Sequence, residues 1–213
     1  MSEIARFLVA FFLFLCSSLA HAGDVYVQAP DEQGRVGLLF KGSMVEGDGE
    51  ELEAALADIA KTQDTIPVTL DIQARFWYTQ WVEPAMKMGE ALRKYNTCVY
   101  AKACTGLCVV AFVGGRARYA NVQPDGRLGP KFWFARSAAE EEHANNPTAQ
   151  TQYYFDWLKR YMTGMTGDER FFQVFSAAPG YGQTGITLDQ ALNLGLLTAA
   201  EDTGAGACGK PIS

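Results

Sequence analysis

Thr97 to Tyr119 reads T-C-V-Y-A-K-A-C-T-G-L-C-V-V-A-F-V-G-G-R-A-R-Y, and the reading of this stretch decides the fold. Cys98 to Ala103 is a short run of β-branched and small residues, which predicts a strand. Cys104-Thr105-Gly106-Leu107-Cys108 forms a tight elbow, and the apolar run behind it, stopped by Gly114-Gly115, predicts a buried helix. An elbow of this kind exposes a side chain beside the backbone N–H groups of a helix N-terminus, which is where a nucleophile is commonly carried. Here it offers only Thr105 and Gly106. The place where chemistry is expected is short of reactive side chains.

Upstream of the elbow, Trp81 to Tyr95 predicts a helix with Val82, Ala85, Gly89 and Leu92 on one face. Before it lies an aromatic loop, Gln73 to Gln80, with Phe76, Trp77 and Tyr78 together, and before that a strand, Pro67 to Ile72. Asp48 and Glu51 have the spacing of a capping box, and Leu52, Ala55, Leu56 and Ile59 follow at helical intervals. Arg35 to Phe40 is a further strand candidate, preceded by a polar arm, Gly23 to Gly34, with a hairpin-like turn at Glu32-Gln33-Gly34. Strand and helix alternating at this spacing predict right-handed βαβ crossovers and a largely parallel sheet.

Downstream, Arg116 to Asn121 predicts a strand and Pro124-Asp125-Gly126 a turn. Helices then take over. Asn146-Pro147 reads as an N-cap with proline at the first helical position, and Tyr154, Trp157, Leu158 and Tyr161 keep helical spacing until Gly164. That aromatic stripe is read as a buried face, a ligand box being the alternative. Asp168 starts a short helix through Phe171, Phe172 and Phe175. Thr187 to Gln190 is a capping box for a last helix that ends at Gly195, with Leu196 and Leu197 packing back.

Arg6, the apolar run Phe7 to Leu15 and the small pair around His21 in Ala20-His21-Ala22 predict a secretory signal peptide over residues 1–22. Its removal leaves about 190 residues, enough for a single domain over 23–213 with a Gly-rich tail at 200–213. A lipoprotein at Cys16 is the alternative, against which the bulky Leu15 argues. Export places four cysteines, Cys98, Cys104, Cys108 and Cys208, in an oxidising compartment, where they pair. Cys104 and Cys108 are close enough for a bridge if their segment is one helical turn, about 6 Å between Cα atoms. Cys98 is then left for Cys208. A zinc site is the rival reading, but the spacing lacks a C-x2-C knuckle. The net charge of −6 with 48% hydrophobic and 12% aromatic residues describes a packed chain, and Lys and Arg are scattered, so nucleic acid is not an expected partner. Neither a membrane, after leader removal, nor a cofactor is expected.

The order of parts resembles the ClpP/crotonase superfamily, most closely its exported bacterial members, over about Arg35 to Ala199. The resemblance is carried by the A-M-K-M-G-E-A-L-R-K-Y-N helix feeding a strand, the Cys-bracketed elbow with Gly-Gly-Arg behind it, and the closing I-T-L-D-Q-A-L-N-L-G-L-L-T. It implies an α/β fold: a β-β-α spiral with a mostly parallel sheet and C-terminal helices. It also implies a nucleophilic Ser at the elbow, where this chain has Gly106; a His after the following strand, where Lys131 or a neighbour stands; and an oxyanion Gly-Gly, where Gln73-Ala74-Arg75-Phe76 stands.

A Ser or Cys hydrolase needs a base in hydrogen-bond reach, most often His. After leader removal only His143 remains, in the acidic run Ala138 to Glu142, and it reads as a solvated surface residue. The expectation is therefore an exported, periplasmic, ClpP-like pseudoenzyme that binds a peptide or protein partner. Its cleft would be bordered by Phe76, Trp77, Tyr78, Thr105, Gly106, Lys131, Phe132, Trp133 and Phe134. The bland reading is that these aromatics only cap the core. The enzyme alternative is a hydrolase using a Thr105–Lys131 dyad, with Lys131 deprotonated by burial. A third reading is a structural subunit, because relatives of this fold often form homo-oligomers.

Overall fold

A computed structural model describes residues 23–31, 33–73, 82–122, 125–126, 128, 132–133, 149–177 and 186–198. The alternation expected around the elbow is present: β2 (Leu38–Gly42), α1 (Asp48–Ile59), β3 (Ile66–Gln73), α2 (Val82–Lys94), β4 (Thr97–Thr105), α3 (Cys108–Phe112) and β5 (Ala117–Ala120). β1 (Asp24–Val27) precedes them, and β6 (Phe132–Trp133), α4 (Ala149–Thr166), α5 (Glu169–Ser176) and α6 (Leu188–Asn193) follow.

The sheet runs β1-β2-β3-β4-β5, antiparallel between β1 and β2 and parallel elsewhere. β4 is its axis. Cys98 to Ala101 of β4 pair with β5, whereas Cys104 and Thr105, further along the same strand, pair with β6. Between the two lies a bulge: Ala101 stands opposite Leu70 and Ala103 opposite Asp71, so Lys102 is one residue too many. A bulge bends and twists its strand, here just below the elbow.

Ile66, Val68, Leu70 and Ile72 alternate along β3 and join Leu38, Phe40, Val99 and Ala101 in one buried cluster. Leu52, Leu56 and Ile59 of α1, Val82, Ala85 and Leu92 of α2, and all five residues of α3 complete it. The elbow helix is therefore core, as its apolar run predicts. α2 reaches α3 closely because of two glycines. A Cβ on Gly114 would lie 2.0 Å from the Gly89 carbonyl oxygen, and one on Gly89 would lie 1.7 Å from the Tyr161 hydroxyl oxygen of α4.

Several boundaries differ from expectation for local reasons. The arm before β2 contains a strand, β1, which exists through pairing: Gln28 N–H donates to the Gly37 carbonyl at 2.8 Å, and Asp31 Oδ1 accepts the Gln33 and Arg35 N–H groups at 2.9 and 2.8 Å across the hairpin. β2 starts at Leu38 instead of Arg35. The Asp48/Glu51 capping box does not form, because Gly47, at φ +97°, is the N-cap and Asp48 turns its carboxylate elsewhere. α4 runs past Gly164 to Thr166 and stops at Gly167, φ +77°, whose N–H reaches the Thr163 carbonyl at 2.8 Å. Asp168 caps α5, and the Thr187/Gln190 box forms with both its hydrogen bonds. Gly195, at φ +67°, ends the last turn as expected, and Leu196 and Leu197 return N–H groups to the Ala191 carbonyl. Among the described residues no helix is long and apolar enough to cross a membrane.

Candidate functional site

Three parallel strands end together at the elbow. Gln73, the last residue of β3, is the register partner of Thr105; on the other side, Phe132 and Trp133 of β6 pair with Cys104 and Thr105. β5 leaves this edge at Ala120, opposite Ala101, and β6 occupies it from Cys104 onward. Ligands of open α/β sheets bind beyond the carboxyl ends of the strands, and the elbow stands at the carboxyl ends of β3, β4 and β6.

The elbow turns at Gly106, whose φ of +60° lies in the left-handed region that glycine enters without a Cβ penalty. Leu107 follows, and α3 begins at Cys108; Val109 and Val110 N–H groups reach back to the Gly106 and Leu107 carbonyls at 3.1 and 3.0 Å. Cys104 and Cys108 form a disulfide with Cα atoms 5.1 Å apart, and both are wholly buried. The pairing is the expected one, but the route is not a helical turn: Cys104 is a strand residue and only Cys108 is helical, so the bridge straps the strand end to the helix start. Cys98 is also disulfide-bonded. Its expected partner, Cys208, lies outside the described residues.

Thr105 closes β4 and is 5% exposed. Gly106 brings backbone only. Phe132 and Trp133 form β6 beside the elbow. Phe76, Trp77, Tyr78, Lys131, Phe134 and His143 lie outside the described residues. In sequence the first three follow Gln73 after Ala74 and Arg75, and Lys131 immediately precedes Phe132. Sequence reading passed over one charged pair here. Asp71 and Lys102 are the sole charged residues of β3 and β4, and the bulge lets them meet at 3.3 Å. Their isolation in two otherwise uncharged strands was the available signal. With Lys102 well exposed, the pair is screened and contributes little to stability.

No protein-family model and no curated protein matches the chain. Solved structures do. ClpP1 from Listeria monocytogenes superposes with a TM-score of 0.51 at 12% identity, over 77% of this chain and 89% of that one. The fold is ClpP-like. A peptidase from Plasmodium falciparum gives a TM-score of 0.55 at 9% identity, over 77% and 94% of the two chains. The ClpP protease catalytic domain from the same organism gives 0.51 at 10%, over 76% and 82%. At such identities the ClpP likeness is one of backbone path, so activity has to be argued from the elbow itself.

Proposed function

We propose that the chain is an exported protein that uses the ClpP-like elbow to bind an extended peptide, or a loop of a protein partner, without cleaving it. Gly106 carries this reading: the residue at the turn of the elbow has no side chain. Nucleophilic catalysis needs an accessible oxygen or sulfur with a base in reach. Thr105 is 5% exposed, and both elbow sulfurs are held in a disulfide. Aromatic anchors with an adjacent cation suit peptide recognition. In sequence, Phe76-Trp77-Tyr78 follow Gln73, the last residue of β3, after two residues, and Lys131 precedes Phe132-Trp133 of β6; β3 and β6 border the elbow. Two bonded cysteine sites, Cys104–Cys108 and Cys98, suit an oxidising compartment, and the leader read at residues 1–22 supplies the route to the periplasm.

The test is a peptide-library binding assay on the mature chain, run beside hydrolysis assays on peptide and ester substrates. Saturable binding, weakened about tenfold (near 1.4 kcal/mol) by Trp77→Ala, with no turnover, is the expected result. Turnover that disappears in folded Thr105→Ala and Lys131→Ala variants would replace this reading with the Thr105–Lys131 hydrolase.

A further inference from the structure

Asp48, the first residue of α1, is 3% exposed. Its carboxylate accepts the Val45 N–H at 2.7 Å and also the N–H of Gly23. Burial, with the acidic Glu51 of α1 and Asp24 of β1 nearby among the described residues, pushes its carboxyl above the ordinary range. A buried carboxylate ordinarily has a cation to face it; among the described residues this one faces two amides. Gly23 is as constrained as its partner. It is buried, and a Cβ there would lie 2.0 Å from Cζ of Phe40 and 2.8 Å from the Ser43 carbonyl oxygen. The first residues of a domain usually fray, yet Gly23 is packed and hydrogen-bonded before β1 begins at Asp24.

We propose that cleavage between Ala22 and Gly23 converts the Gly23 nitrogen into an α-ammonium that pairs with buried Asp48, so that processing locks the start of β1 onto the start of α1. For the cleavage itself, the proposal rests on the export reading. The step is hydrolysis by a leader peptidase: water adds across the amide, Ala22 leaves as a carboxylate on the leader, and the Gly23 nitrogen gains protons to become –NH3+. Nothing is oxidised. The amide supplied one donor where the ammonium supplies three, together with a positive charge that no described residue brings to the site. An α-amino group of ordinary pKa, about 8, is mostly charged at neutral pH, and a carboxylate beside it favours the charged form further. A start one residue earlier carries the charge away from Asp48, and a start at Asp24 removes the nitrogen altogether.

Residues 23–213, which hold every described residue, are produced with a fusion removed to leave either Gly23 or Ala22 first, each with Asp48 or Asp48→Asn. The chain starting at Gly23 is expected to melt higher than the chain starting at Ala22, the difference is expected to vanish with Asp48→Asn, and the Gly23 amine is expected to titrate above about 8 by 15N NMR. Equal melting of the two starts, a difference that survives Asp48→Asn, or an amine at its ordinary value overturns the proposal. If Asp48→Asn does not fold, the amine titration and the comparison of starts in the Asp48 chain decide. The exported protein is sequenced from its N-terminus in parallel. Retention of the full-length chain inside the cell refutes the export reading and the proposal with it, whereas an exported chain that starts elsewhere than Gly23, or a Gly23 start with equal melting, refutes the proposal alone.

Discussion

Arg93 and Arg118 donate to one acceptor, the carbonyl oxygen of Val113, at 3.3 and 3.2 Å. Arg118 also reaches the carbonyls of Gly115, Gly195 and Leu196 at 2.5, 2.6 and 2.9 Å, and Arg93 reaches that of Met165 at 2.5 Å. Val113, Met165 and Gly195 stand at the C-terminal ends of α3, α4 and α6. Two guanidinium groups thus sit where three helices present unpaired carbonyls and the negative ends of their dipoles. Those dipole ends serve where a carboxylate would otherwise be needed. Burial lowers the pKa of both, that of Arg118 to about 10, which still leaves it charged at neutral pH.

Arg118→Met is expected to destabilise the fold by about 3 kcal/mol or more, because four buried carbonyls lose a charged donor at once. Arg118→Lys, with a point charge and no planar fork, recovers only part of that. Denaturant midpoints measure the loss, and faster amide exchange in α6 would locate it at Gly195 and Leu196. An unchanged midpoint in Arg118→Met would show that the four contacts are not what holds the C-terminal segment.

Gly89→Ala tests the closest approach in the core. Its new methyl meets the Tyr161 hydroxyl, so a cost of about 1–3 kcal/mol is expected from overpacking. Tyr161→Phe alone forfeits the 2.9 Å bond to the Val110 carbonyl, about 1 kcal/mol. Removing the hydroxyl relieves the severe contact, while Cζ of the ring and the Ala111 carbonyl oxygen stay tight at 3.1 Å, so the double variant should lose less than the sum of the two without reaching the parent. Additive losses from thermal melts would mean that the backbone, and not the hydroxyl, absorbs the clash.

Asp168 gives the fold an acid-sensitive corner. Its side chain caps α5 through the Arg170 N–H at 2.8 Å and pairs with the Arg170 guanidinium, which holds its carboxyl below the ordinary value of 3.8. A carboxyl depressed in the folded state contributes stability above its unfolded pKa and loses it as pH falls through the folded one. Asp168→Ala should therefore lower the melting temperature at pH 7, and the gap from the parent should shrink as pH falls below about 4. A gap independent of pH would assign the effect to helix propensity instead.

The sequence carried the parts of this fold that are local. The elbow stretch, the Thr187/Gln190 box, the Asp168 cap and the Cys104–Cys108 spacing each depend on neighbours within a few residues, and each is found. What escaped depends on partners far along the chain. β1 is four residues that become a strand only across from β2. Asp48 carries a capping-box signature and spends its carboxylate on Val45 and Gly23. Arg118 reads as an ordinary strand residue and is 4% exposed, because the carbonyls it serves lie up to 78 residues away. Of the candidate site residues, Thr105 and Gly106 stand at the expected turn and Phe132 and Trp133 pair beside it, while Phe76, Trp77, Tyr78 and Lys131 lie outside the described residues. The Lys102 bulge that lets Asp71 approach has no signature in a pattern of alternation.

The cysteines are expected to divide their work between the elbow and the global fold. Cys98 is 4% exposed and packs with Tyr119, apart from the main core, and its disulfide partner lies outside the described residues. Thr198 is held to Arg118 of β5, its N–H on the Arg118 carbonyl at 3.1 Å and its hydroxyl oxygen accepting the Arg118 N–H at 2.8 Å. The chain leading to Cys208 therefore departs beside the strand that carries Tyr119, and the roughly ten residues between Thr198 and Cys208 can span about 33 Å. That reach makes Cys98–Cys208 the expected second bridge. Loop closure then ranks the two: the short 104–108 loop removes about 2 kcal/mol of unfolded-state entropy, whereas a loop of about a hundred residues removes nearer 4 to 5. Replacing Cys98 and Cys208 by Ser should lower thermal stability more than replacing Cys104 and Cys108. Burial adds an order of reduction, because a thiolate must reach a sulfur to exchange with it; Cys104 and Cys108 are wholly buried and should resist mild reductant until the elbow opens. A disulfide map of the native protein, with melting curves of both double variants, decides. A 98–16 link, or a larger loss from the elbow pair, would place the main staple of this fold elsewhere than the C-terminal tail.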